Sequence, residues 1–204
     1  MNEEDEFEKV PKASKKEVFG DIKKVIIKGK GKEEKKPTLS GDRVIIHEEV
    51  LSSQLYNKNF GELKKERLYL NLYEACLLLD ENKIQVFDKN GKEITLKKLI
   101  KVGEKLNKNF EMKYDVFRDL RLSRGYVVKS GVKFGCDFVV YDRGKSPGGG
   151  HSKWMVHVIP EIIKIDFNEM TRAARLATNV KKKMIFSVVT ERGPVYYEIG
   201  RTKM

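Results

Sequence analysis

In the second half of this chain the apolar period switches from helical to strand-like and back again, and few folds accept that order. Tyr114, Phe117, Leu120 and Arg121 recur at three- and four-residue spacing, which places them on one face of a helix over Tyr114–Arg124. Three strand-like runs follow, YVVKSG, KFGCDFVVYDRG and HSKWMVHVIP. A second helix is predicted over Asn168–Val180, with Met170, Ala173, Ala174 and Ala177 on its apolar face and Asn168 or Asp166 as its N-cap. Two last strands, MIFSVVT and VYYEIG, are joined by the short loop ERGP. Helix, strands, helix, strands is the order of an α+β domain, its mixed or antiparallel sheet flanked by helices.

The first half reads as a smaller α+β unit. GDRVIIHEE is a turn followed by a strand, and Leu63–Leu79 is helical, with Leu68, Leu72, Ala75, Cys76 and Leu79 sharing a face. KIQVFD is predicted as a short strand and KNGKE as a turn. Leu96–Asn107 forms an amphipathic helix with Leu99, Ile100, Gly103 and Leu106 on one side. Before all of this the chain is rich in Lys and Glu without an apolar period, the composition of a loosely ordered segment, with KVIIK at 24–28 as an exception. The expected division is a poorly ordered charged extension over 1–40, an N-terminal α+β domain over 41–109 and a C-terminal domain over 110–204.

Composition narrows the partners. A net charge of +12 draws polyanions, and its spread along the length favours nucleic acid over a membrane surface. No stretch approaches the roughly 20 apolar residues of a membrane span, and the acidic opening MNEEDEFEKV does not read as a signal peptide, so a cytoplasmic location is expected. Two cysteines, Cys76 and Cys136, are too few for a disulfide framework or a tetrahedral zinc site and read as small core residues. Walker, dinucleotide-binding, HExxH and GxSxG motifs are missing, and the carboxylates do not cluster as a two-metal nuclease requires. No metal or cofactor is expected; a nuclease built on this sequence would need organic side chains as its acid and base.

The most unusual stretch is YDRGKSPGGGH, running from Tyr141 to His151. Paired strands on either side of this glycine-rich loop would bring Tyr141 and His151 to one rim of a sheet. Of the three histidines, His47 lies beside two glutamates and reads as exposed. His157, between Val156 and Val158, reads as structural or interfacial, six residues along the same strand as His151. His151 is the better candidate for proton transfer. Lys181, Lys182 and Lys183 follow the last predicted helix, and adjacent side chains cannot all face one site. Arg175, seven positions before Lys182, would share its side if the helix ran on that far.

At these residues the sequence resembles the archaeal tRNA-intron endonuclease family, of homotetrameric type. The likeness is carried by VFRDLRLSRGYVVKSGVKFGCDFVVYDRG, HSKWMVHVIPE, TRAARLATNVKKK and VYYEIG, and more weakly by GDRV and LNLYEACLLL. The family's tyrosine, a histidine ten positions later and a lysine 31 beyond that match Tyr141, His151 and Lys182. The resemblance implies a metal-independent endoribonuclease that excises introns from precursor tRNA at bulge-helix-bulge motifs. Tyr141 would be the base on the ribose 2′-hydroxyl, His151 the acid on the departing 5′-oxygen and Lys182 the charge on the phosphate. Products would carry 2′,3′-cyclic phosphate and 5′-hydroxyl ends. It also implies RNA binding by Arg175, with Arg192 and Arg201 as candidates for a second base-stacking arginine. Arg143, Lys145 or Lys182 would supply the positive charge that lowers the Tyr141 pKa, and Arg143 and Lys145 are expected to touch RNA as well. A loop Thr190–Pro194, with one acid at Glu191, and the VYYEIG strand would make subunit contacts. The alternatives are a non-catalytic structural subunit of a heteromeric endonuclease and a plain RNA-binding module.

Overall fold

Residues 11–22 and 36–202 are described by the computed structural model; the expected KVIIK strand lies outside them. The chain divides into two compact units, one of Lys15–Tyr114 and one of Asp115 onward together with residues up to Ser14. The division falls inside a helix, α5 (Phe110–Arg118).

The first unit is built on a four-stranded antiparallel sheet in the order β1-β2-β4-β3, from β1 (Thr38–Ser40), β2 (Arg43–Ile46), β3 (Glu62–Lys64) and β4 (Arg67–Asn71). Helices α1 (Lys15–Phe19), α2 (Glu49–Asn57), α3 (Leu72–Asp80) and α4 (Leu96–Leu106) complete it. Alternation in β2 and β4 sends Val44, Ile46, Leu68 and Leu70 into the core. The predicted helix from Leu63 is corrected here. Residues 62–71 are a hairpin whose two turn residues, Lys65 and Glu66, both have positive φ (45° and 65°). Leu68 and Leu72 are four apart, as on a helix, but Leu68 belongs to the two-residue period of β4. The helix begins only where Asn71 and Glu74 close a capping box. KIQVFD is extended but unladdered, with Phe87 alone bridging to Thr38 and Glu93. Within the first 40 residues α1 buries Val18 and Phe19, so this stretch is not uniformly loose.

The second unit carries a five-stranded sheet in sequence order, from β5 (Val127–Ser130), β6 (Phe138–Tyr141), β7 (Trp154–Pro160), β8 (Lys183–Thr190) and β9 (Gly193–Ile199). Its pairings are antiparallel except β7 with β8, which run parallel, so the sheet is mixed as expected. A parallel pair needs a crossover, and α6 (Phe167–Asn179) is that crossover, capped by the Asp166 carboxylate on the Asn168 amide at 3.0 Å. On one face Ala173 and Ala177 of α6 pack with Val139, Met155, Met184 and Phe186. On the other, Phe117 at the end of α5 meets Phe138 and Tyr126 meets Trp154. The helix predicted to reach Arg124 changes at Asp119 into a π-helical turn, Asp119–Ser123, which buries Leu120 and Arg121. The Arg121 guanidinium donates to the Tyr126 carbonyl at 3.0 Å.

Both cysteines are free and buried, and burial holds their thiols protonated, Cys76 up to about 12 and Cys136 up to about 11. A folded-state pKa above the unfolded value of 9.0 means that each group's contribution is complete below about pH 9 and is lost as the pH rises toward 11–12. The melting temperature is therefore expected to fall across this alkaline window, and Cys76→Ala is expected to flatten the fall. A variant with an unchanged alkaline slope would assign the loss to other groups.

Candidate active site

Three strand ends meet at one edge of the C-terminal sheet. Antiparallel pairing of β6 with β7 puts the end of β6 beside the start of β7, and parallel pairing of β7 with β8 adds the start of β8. The Lys153 amide donates to the Val140 carbonyl at 2.9 Å, and the Lys183 amide donates to the Lys153 carbonyl at 3.0 Å. Tyr141 closes β6 and packs against the α6-side cluster. Lys182 immediately precedes β8. His151 reaches the same edge from the loop, but it does not open the strand as expected. It lies exposed in irregular chain three residues before Trp154, so it shares no strand face with His157.

Local backbone geometry separates Lys182 from its neighbours. Helix α6 ends at Asn179, and Lys181 turns through φ 55°, so the two-turn alignment of Arg175 with Lys182 does not arise. The Lys182 amide returns to the Ala177 carbonyl at 2.8 Å, while its Nζ donates to the Ser152 carbonyl at 2.9 Å. The ammonium also stands 5.7 Å from the centroid of the Phe134 ring. Lys181 is exposed, and Lys183 is paired with Glu198 at 3.2 Å. Neither Ser152 nor Phe134 stood out in the sequence. Phe134 carries a faint signal, an aromatic residue held just before a glycine in GVKFG.

Tyr141 is half-buried, and burial raises its pKa above 10.0. The expected lowering by nearby positive charge is not what this geometry gives. Arg143 donates its Nε to the Arg124 carbonyl at 2.8 Å and a terminal nitrogen to the Pro11 carbonyl, so its charge is held at the base of the loop. Lys145 is exposed, its amide turned to the Asp142 carbonyl at 3.0 Å. A short bridge between Pro147 and Gly150 gives the glycine-rich loop a turn of its own.

The remaining candidates are spread more widely. Arg175 is exposed on α6 and donates its Nε to the Thr171 carbonyl at 3.4 Å. Arg192 is exposed in the turn between β8 and β9, and Arg201 is exposed after β9. The expected loop Thr190–Pro194 is mostly strand: Thr190 pairs with Gly193, so only Glu191 and Arg192 turn. His157 sits with its Nδ1 3.9 Å from Asp137 and its ring 5.6 Å from Phe186, in keeping with a structural role. His47 is half-buried rather than exposed, and its pKa is lowered by burial and by Arg67. Among the described residues no helix is long and apolar enough to cross a membrane.

Comparison with known proteins agrees over both units. Residues 110–197 match the family described as tRNA intron endonuclease, catalytic C-terminal domain, and residues 36–100 match its N-terminal domain. A protein named tRNA-splicing endonuclease from Thermococcus onnurineus is 42% identical over 167 residues, covering 81% of this chain and 95% of the relative. One of the same name from Pyrococcus furiosus gives the same identity and coverage. A third, from Methanococcus maripaludis, is 34% identical over 167 residues, with 81% and 93% covered.

Proposed function

Because this chain belongs to the tRNA intron endonuclease family and carries its catalytic domain, we propose that Tyr141, His151 and Lys182 cut precursor tRNA at its intron boundaries by transesterification. Tyr141 takes the proton from a ribose 2′-hydroxyl, whose oxygen then forms a bond to the adjacent phosphorus. The bond from phosphorus to the 5′-oxygen breaks, and His151 gives that oxygen its proton. One product ends in a 2′,3′-cyclic phosphate and the other in a 5′-hydroxyl. Lys182 balances the negative charge that gathers on the phosphate oxygens, a role suited to a fixed ammonium. The observation that carries this reading is the edge where the end of β6 meets the starts of β7 and β8, with the Lys182 Nζ held by the Ser152 carbonyl.

The substrate feature we assign is the bulge-helix-bulge, whose unpaired bases are free to stack on guanidinium planes. We assign RNA contact to Arg175 and Lys145, an assignment supported by their exposure on α6 and in the loop. Arg143 offers only the donors that its two carbonyl partners leave over. Assembly as a homotetramer in the cytoplasm completes the reading. Support comes from β9, which among the described residues lies at the edge of its sheet with Val195 and Tyr197 exposed, a position where a partner strand could pair. The two-residue turn at Glu191 and Arg192 gives the neighbouring loop a short reach.

The test is incubation of the purified chain alone with a bulge-helix-bulge RNA in EDTA. Cuts in both bulges that leave cyclic phosphate are expected; binding without cutting would reject the reading. Lys182→Ala is expected to slow the reaction by about 10²–10³-fold, the scale of removing one donor to a developing oxyanion. Its RNA affinity should be close to the parent's, and equal losses in binding and rate would reject the transition-state role.

A further inference from the structure

We infer that Phe134 is a positioning residue for Lys182, an inference that rests on the proposed role of Lys182. A lysine ammonium is a mobile point charge on a four-carbon stem, and one hydrogen bond leaves it free to pivot. The Ser152 carbonyl, at 2.9 Å, is that bond. The Phe134 ring, 5.7 Å from Nζ, is a second attraction from another element, within cation–π reach. A ring face attracts the charge without a lone pair, so N–H donors remain for a phosphate oxygen.

Phe134 is held in place by its turn. It closes a 3₁₀ turn, Val132–Phe134, in which its amide donates to the Gly131 carbonyl at 2.8 Å. Gly135 leaves the turn in a left-handed conformation, φ 70°. A Cβ at Gly131 would stand 2.4 Å from the Cys136 sulfur, so only glycine lets the turn close on that buried side chain. The Cys136 sulfur in turn reaches the Gly131 and Phe138 carbonyls at 3.6 and 3.2 Å. The ring itself is 39% exposed, which is more than packing alone would require of a phenylalanine. Phe134 therefore holds Lys182 aimed at the phosphate rather than contributing chiefly to the core.

Single-turnover cleavage of precursor tRNA by the full chain tests this. Phe134→Leu keeps the apolar bulk and removes the ring; it should lower the rate constant about three- to tenfold, the worth of an exposed to partly desolvated cation–π contact. The enzyme concentration for half-saturation should stay within about twofold, and Phe134→Tyr should restore the rate to the same margin. In a Lys182→Ala background Phe134→Leu should cause no further loss. A loss that multiplies that of Lys182→Ala, or a rise in half-saturation with the rate constant unchanged, would overturn the inference. If Phe134→Leu fails to fold, Phe134→Met is measured against the same outcomes. Lys182→Ala alone reports on the underlying assignment, since unchanged cleavage there removes Lys182 from the reaction before any Phe134 variant is considered.

Discussion

Replacing His151 by alanine is expected to slow cleavage of precursor tRNA by about 10²–10⁴-fold, the usual worth of a positioned proton donor. The same variant should cut a substrate with sulfur in place of the bridging 5′-oxygen at close to the parent rate. Oxygen leaves poorly as an alkoxide and needs a proton as its bond to phosphorus breaks. A thiolate is far less basic, as the thiol pKa of about 8.5 implies, and departs without one. His151 lies exposed in irregular chain beside the glycine-rich loop, a position open to a leaving group. Lys182→Ala should gain no such recovery, because the charge on the non-bridging oxygens is present with either substrate. An equal loss of His151→Ala on both substrates would remove it as the acid and leave it a binding or orienting role.

Tyr141→Phe is expected to lose about 10²–10⁴-fold in rate at neutral pH and to lose one limb of the pH profile with it. An ordinary phenol, with a pKa near 10, is ionised to about one part in a thousand at pH 7. Burial raises Tyr141 further, so the basic form is rarer still. If Tyr141 is the base, this part of the rate should climb about tenfold per pH unit for as long as the acid stays protonated, and level off once the acid is lost. Phenylalanine abolishes that climb. The window has an upper limit, because the two buried thiols begin to withdraw their stability above about pH 9. A climb that survives in Tyr141→Phe would assign the base to another group.

The fold of the C-terminal unit was legible in the sequence because each of its elements has a local period. Val139 and Met155 lie in short apolar runs whose neighbours are buried on the opposite face, and Ala173 and Ala177 repeat at helical spacing, so strands and crossover could be placed. The sequence did not reveal the boundaries that depend on backbone conformation. Lys65 and Glu66 in left-handed turn geometry, and Lys181 after α6, are not glycine, and nothing in their letters announces positive φ. The helical period predicted from Leu63 therefore gives way to a hairpin, and the condition for aligning Arg175 with Lys182, a helix that runs on to Lys182, is not met. Tyr141 shows the same limit in electrostatics: Arg143, Lys145 or Lys182 is expected from sequence to lower its pKa, while the fold turns Arg143 to backbone carbonyls and leaves burial to dominate. The contacts of Phe134 and Ser152 with Lys182 join positions distant in the chain, so the fold shows them and the letters do not.

The crossover through α6 also sets an order of events. Tyr141 and His151 are ten residues apart across the closing loop of an antiparallel pair, whereas Lys182 lies 31 residues further on and arrives only when β8 docks in parallel. Distant parallel pairings close later than neighbouring antiparallel ones, since the longer loop must be ordered before its contacts reward it. On the proposed roles, a nascent or partly unfolded molecule whose β8 has not docked would carry Tyr141 and His151 without the Lys182 cation. Under those roles RNA would meet a complete set of three only after the last internal strand has been laid in, and the topology would act as a safety catch on the enzyme's own folding.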